Sequence, residues 1–227
     1  MFNEFVKSNN VQFVGVSETW LTPSETTSCI SEISPPGFDF VHLPRTRRRG
    51  GGVGYVAHKD LKSSPFQLPS FSSFEAIGAN IKTGKTSLNI ITIYRPPGCN
   101  KDTFLSEFEQ LHETLHAARD DTIFLGDFNI PYKSGPDLLD RLGLQNYINH
   151  PTHIHGNTLD LFIAKTDCPH LHETSVSDGL SDHFATFGLI NTKMPKTQSK
   201  TISNRPYKKI NIEAFKHDIR SSELIQK

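Results

Sequence analysis

The chain is 227 residues long with 35% hydrophobic residues, and its 24 lysines and arginines balance 24 aspartates and glutamates. That length suits one large domain with a core of its own, and the charge balance excludes a globally polycationic nucleic-acid binder. Three scattered cysteines, Cys29, Cys99 and Cys168, form no CxxC pair, which argues against a disulfide framework or thiolate zinc site and fits a reducing compartment.

The opening Met1-Phe2-Asn3-Glu4-Phe5 carries an acid early and lacks the apolar centre of a secretory leader. No apolar run approaches the roughly 20 residues of a membrane helix, so a soluble intracellular protein is expected. Short strand-like runs follow, separated by turn residues. Gln12 to Ser17 is apolar and β-branched, Phe38 to Leu43 alternates, and Gly52 to Ala57 follows a glycine turn. Phe74 to Ile81 alternates again, and Leu88 to Tyr94 does so most strongly, with Leu88, Ile90, Thr92 and Tyr94 opposite Asn89, Ile91 and Ile93. Lys101 to Ala118 is a helix: Phe104, Phe108, Leu111 and Leu115 recur at helical spacing, with Asn100 or Asp102 available as cap. Thr122 to Gly126 reads as a strand and Asp137 to Leu142 as a short helix ending near Gly143. Leu159 to Ala164 and Phe184 to Ile190 close the strand list. Many strands with few helices between them predict mixed or antiparallel sheets covered by helices.

A domain over residues 1–190 is therefore expected, followed by a tail over residues 191–227. From Asn191 to Pro206 the composition turns to Lys, Thr, Gln, Ser, Asn and Pro, as in a linker. Beyond it Ile212, Phe215 and Ile219 mark a weakly amphipathic helix.

Candidate chemistry gathers at strand ends. An apolar run enters Gly126-Asp127-Phe128-Asn129, so Asp127 and Asn129 leave the strand on one side. A carboxylate and a carboxamide so placed position a water, bind a hard cation or hydrogen-bond a phosphate; they also suit an ordinary Asx turn. In Ser181-Asp182-His183 the aspartate can turn to orient the imidazole, which then donates to a phosphate; a polar strand start is the alternative. Glu18 closes a strand in Ser17-Glu18-Thr19-Trp20 and suits Mg²⁺, or simply a polar rim. Thr158-Leu159-Asp160 adds a carboxylate at the front of one strand, and Tyr94-Arg95-Pro96-Pro97 a phenol at the end of another. Catalytic groups on the ends of rigid strands are what a metal-dependent phosphodiesterase requires.

Ser17-Glu18-Thr19-Trp20, Ile93-Tyr94-Arg95-Pro96-Pro97, Gly126-Asp127-Phe128-Asn129, Thr158-Leu159-Asp160-Leu161 and Ser181-Asp182-His183 together resemble the endonuclease/exonuclease/phosphatase superfamily. More narrowly, they resemble the apurinic-type endonuclease domains of non-LTR (LINE-like) retrotransposons. The resemblance runs in order from the first residues to about Ile190. It implies a four-layered α/β sandwich of two mixed β-sheets flanked by helices. It implies Mg²⁺ or Mn²⁺ bound through Glu18, with Asp182 and Asp160 supporting the metal and the histidine. Asp127 would activate or orient the attacking water, Asn129 and Tyr94 would hold the scissile phosphate, and His183 would stabilise the transition state. The partner implied is DNA, the setting nuclear, and the tail resembles the segment leading to a reverse transcriptase in full elements. Members of the family usually begin with a strand carrying a metal-holding asparagine. This chain starts at what resembles the helix after it, Met1 to Asn9, so an N-terminally truncated copy is expected.

Weaker signals accompany this set. Arg45, Arg47, Arg48 and Arg49, followed by three glycines, form a basic loop for DNA phosphates or a merely solvated one, and Arg95 would extend the basic surface. His153-Ile154-His155 and His170-Leu171-His172 read as surface or hydrogen-bonded histidines, not as a zinc site. Trp20 and the sixteen phenylalanines are assigned to the core. A DNA-nicking endonuclease is the leading reading. A lipid or inositol phosphatase on the same fold and an inactive remnant that at most binds DNA are the alternatives.

Overall fold

Leu88, Ile90, Thr92 and Tyr94 alternate with Asn89, Ile91 and Ile93, and this two-faced run forms a central strand of the largest sheet. The computed structural model describes residues 2–22, 30, 33–45, 50–83, 86–117, 120–131, 136–179, 181–191 and 210–222. The described strands are β1 (Phe13–Ser17), β2 (Phe38–Leu43), β3 (Val53–His58), β4 (Ser64–Phe66), β5 (Glu75–Thr83) and β6 (Thr86–Tyr94). They continue with β7 (Asp121–Asp127), β8 (Leu144–Asn146), β9 (Asp160–Lys165), β10 (Leu171–Ser177) and β11 (Ala185–Ile190). The described helices are α1 (Phe2–Ser8), α2 (Lys101–His116), α3 (Pro136–Arg141) and α4 (Ile212–Ser221).

Six strands form a mixed sheet in the order β4-β5-β6-β7-β9-β8, with β6 and β7 parallel and the other pairs antiparallel. The parallel step needs a crossover, and α2 supplies it. Its Phe104, Phe108, Leu111 and Leu115 are buried against Ile91, Ile93, Phe124 and Ile163, and α3 adds Leu138 and Leu139 to this cluster. Asn100 caps α2, its Oδ1 accepting the Thr103 N–H at 2.9 Å. Truncating Phe108, which is 1% exposed, to alanine would cost about 3–5 kcal/mol.

The opposite face of the sheet carries Ile77, Ala79, Leu88, Ile90, Ile123 and Leu125, which meet Val53, Tyr55 and Ala57 of β3 in a second core. That layer is divided, among the described residues, into a three-stranded antiparallel sheet, β1-β3-β2, and the antiparallel pair β10-β11. Helix α1 covers its outside: Val6 is fully buried and Phe5 packs on Phe187 of β11 with ring centroids 6.1 Å apart. The result is the four-layered α/β sandwich expected from the resemblance.

Strand β1 lies tightly on the large sheet. A Cβ at Gly15 would stand 2.2 Å from Leu125 Cδ1 and 2.8 Å from Thr92 Oγ1, so only glycine allows this approach. Strands β4 and β8, at three residues each, are too short to show a period. Strand β10 carries His172, Glu173, Thr174 and Ser175 in succession, which hides its alternation; pairing with β11 makes it a strand.

The chain divides into two compact units, Met1–Pro195 and Lys196–Lys227. In the second, Asn211 caps α4 through Glu213 N and Ala214 N, each at 3.1 Å. Its Ile212, Phe215 and Ile219 are exposed. The linker expected up to Pro206 and most of the tail lie outside the described residues.

Candidate active site

Strand register assembles the site. Glu75 of β5 pairs with Tyr94 of β6, Tyr94 with Asp127 of β7, and Asp127 with Asp160 of β9. Residues in register project to the same face of a sheet, so one crosswise row near the strand ends carries a phenol and three carboxylates. The row faces the smaller sheets, where Glu18 follows β1 and the segment before β11 brings in His183. Gly126 permits the row: its φ is +128°, and a Cβ there would lie 2.1 Å from the Ile93 carbonyl oxygen.

Asp127 is 4% exposed. Its Oδ1 accepts the backbone N–H of Asn129 at 2.9 Å and its Oδ2 accepts the Asn129 carboxamide at 2.7 Å. The same carboxamide reaches the Arg95 carbonyl at 3.0 Å. Asn129 is left-handed, φ 48°, which asparagine tolerates better than most residues. Burial, and then the neighbouring Asp160 charge, push the Asp127 carboxyl up to about 7.

His183 is held by Asp160, with Nδ1 and Oδ2 2.7 Å apart. That hydrogen bond outweighs burial and raises the imidazole to about 9. Thr152, fully buried, aligns both partners. Its Oγ1 accepts the N–H groups of Leu159 and Asp160 at 2.9 Å, and its carbonyl accepts that of Phe184 at 2.7 Å. The orienting carboxylate is thus Asp160 and not the adjacent Asp182. Asp182 is 61% exposed in its side chain and stands 3.5 Å from Nε2 of His153, whose ring packs edge-on to His183 with centroids 4.8 Å apart. His153 therefore buttresses the site, a position its sequence gave no reason to single out beyond the His-x-His spacing.

Glu18 is left-handed, φ 51°. Its Oε1 accepts the Tyr94 hydroxyl and its Oε2 accepts the Trp20 indole N–H at 3.2 Å. Burial, followed by the Glu18 bond, raises the Tyr94 phenol well above its ordinary value, so it stays protonated and donates. Glu75 fastens the next loop: its carboxylate binds the Arg45 guanidinium and accepts the Gly52 N–H at 2.7 Å, while Arg45 lies over the Tyr94 ring at 5.5 Å. Only strand register reveals Glu75.

Two further expectations are corrected. Arg95 is not a DNA-facing residue: it is 5% exposed, donates to the carbonyls of Asn129 (3.1 Å) and Cys99, and covers the Phe104 ring at 5.6 Å. Its charge is spent on bracing the loop that carries Asn129. Trp20 is not core but 56% exposed. Arg47, Arg48 and Arg49 lie outside the described residues.

The donors suit a divalent cation. Ligand atoms of Asp127, Asp160 and His183 all lie within 4.8 Å of one another, and Glu18 adds a carboxylate whose charge also reaches Asp127. Hard dications prefer such oxygens, and an aspartate driven to about 7 marks a place short of positive charge.

The sequence matches the Endonuclease/Exonuclease/phosphatase family over residues 2–183. No curated protein sequence matches the chain. Solved structures with the same fold include the endonuclease domain of TRAS1, a telomere-specific non-LTR retrotransposon, at 14% identity and a TM-score of 0.65, covering 85% of this chain and 91% of that one. The AP endonuclease LMAP from Leishmania major is similar at 14% identity and a TM-score of 0.66, covering 82% and 80%. The 3′ phosphatase NExo from Neisseria, bound to a product DNA hairpin, is similar at 16% identity and a TM-score of 0.58, covering 83% and 92%. At such identities these likenesses establish the fold alone.

Proposed function

Because the chain belongs to the endonuclease/exonuclease/phosphatase family, whose members hydrolyse phosphodiester bonds, we propose that it is a DNA-nicking endonuclease of a non-LTR retrotransposon. The observation that carries the hydrolytic reading is the row Tyr94, Asp127 and Asp160, with Glu18 and His183 gathered over it. The choice of DNA and of a retroelement is supported by the likeness to TRAS1 and by the ordered motifs. A reverse transcriptase of the same element and nuclear action go with that reading.

In this mechanism Asp127, fixed through both oxygens by Asn129, orients the attacking water and accepts its proton. Asn129 keeps Asp127 from rotating; its carboxamide spends both hydrogens on Asp127 and the Arg95 carbonyl, and must release one of them to reach the phosphate. His183, charged through Asp160, donates from Nε2 to a phosphate oxygen as negative charge builds. The Tyr94 hydroxyl, kept protonated, donates beside Glu18. A Mg²⁺ or Mn²⁺ among the carboxylates of Glu18, Asp182, Asp127 and Asp160 would supply Lewis-acid stabilisation of the departing oxygen.

The test is nicking of supercoiled plasmid by purified protein with Mg²⁺, Mn²⁺ or EDTA. Metal-dependent nicking lost in Asp127→Ala and His183→Ala is expected. A folded protein that leaves the plasmid closed under all conditions would overturn the nuclease reading.

A further inference from the structure

Trp20 is the only tryptophan in the chain. It is 56% exposed and sits two residues beyond Glu18. Its backbone is left-handed, φ 55°, as is that of Glu18 at 51°. Residues with a Cβ avoid that region, so it persists only where surroundings impose it, and such outliers gather at functional sites. Here the surroundings are explicit. Thr19 N–H donates to the Gly52 carbonyl at 3.1 Å and Trp20 N–H to that of Gly51 at 2.9 Å. The indole N–H is fixed to Glu18 at 3.2 Å. The ring rests on Gly50, where a Cβ would lie 3.4 Å from it. Gly52 is itself held by Glu75 at 2.7 Å.

A tryptophan so fixed is a preformed, rigid plane with its one polar group already satisfied beside the carboxylate of the candidate site. We propose that Trp20 is a stacking platform for a nucleobase adjoining the scissile phosphate, and that it positions the strand and so influences where the cut falls. The proposal rests on the nucleic-acid reading above. A planar π partner fits a single exposed ring; an acyl chain would need a wider apolar surface than one indole offers.

As the sole tryptophan, Trp20 reports on itself. A labelled oligodeoxynucleotide is titrated with the full chain in EDTA, following label anisotropy for binding and indole emission for stacking. An oligomer of the same phosphates without bases serves as control. The expected result is binding of the normal strand with quenched emission, and binding of the base-free strand without quenching. Trp20→Leu should weaken binding of the normal strand about tenfold, and Trp20→Phe should restore most of it. With metal present, Trp20→Leu should raise KM more than it lowers kcat, and cut positions should spread. Binding with unchanged emission, equal quenching by the base-free strand, or a wild-type KM and cut pattern in Trp20→Leu would each overturn the platform and leave the nuclease reading standing. No anisotropy change with any DNA would overturn both, and that signal does not depend on Trp20.

Discussion

Nδ1 of His183 lies 2.7 Å from Oδ2 of Asp160, joining two residues 23 positions apart in the chain. The bond favours imidazolium and raises the histidine to about 9. In metal-free protein, the His183 ring should titrate near that value by NMR, and Asp160→Asn should bring it down toward about 6.5. A histidine raised in this way stabilises the fold fully below its unfolded value of about 6.5. That contribution fades as pH climbs to about 9. A wild-type midpoint at the ordinary value would refute the pairing.

Asp127 shows the opposite balance. Burial first, and Asp160 second, lift it to about 7, so folding favours its neutral form. Ionising it costs stability as pH rises from about 4, its unfolded value, to its folded one. Asp127→Asn sets an NH2 against a donor of Asn129 at any pH, so relative to wild type it should be about 1–3 kcal/mol better off at pH 8 than at pH 4, read from urea midpoints. The same variant should lose about 10²–10⁴-fold in hydrolysis. A stability difference from wild type that stays the same between pH 4 and pH 8 would contradict the assignment.

Arg95→Ala should behave as a core lesion. It leaves the carbonyls of Asn129 and Cys99 without their donor and uncovers Phe104. A loss of about 2–4 kcal/mol in chemical denaturation is expected. The salt dependence of DNA binding should not change; a slope lower by about one would instead mark a phosphate contact.

Glu75→Ala removes the acceptor shared by Arg45 and the Gly52 N–H. The fold should lose about 1–3 kcal/mol, and kcat/KM should fall about tenfold as the loop beside Glu18 loosens. Wild-type turnover in this variant would show that the loop holds itself.

Much of the architecture was readable in one dimension. Strong alternation marked β6, helical spacing of Phe104, Phe108, Leu111 and Leu115 marked α2, and Asn100 capped it as its residue type suggested. Strands β4, β8 and β10 escaped because short or polar strands take their conformation from a neighbour. Of the candidate site, Glu18, Tyr94, Asp127, Asn129, Asp160 and His183 could be proposed from strand ends, but not their pairings. Adjacency favoured Asp182 as partner of His183, whereas β9 delivers Asp160 and leaves Asp182 to His153.

The amino-acid sequence by itself determined which residues make up the candidate site, because residue type and strand-end position are local properties carried by short motifs. Tertiary structure alone decided that Glu75 stands in row with Tyr94, Asp127 and Asp160, that Arg95 is buried, and that Trp20 is exposed. Those outcomes depend on register between strands and on which layer covers which face. Both are set by contacts between segments far apart in the chain, and neither leaves a period in the sequence.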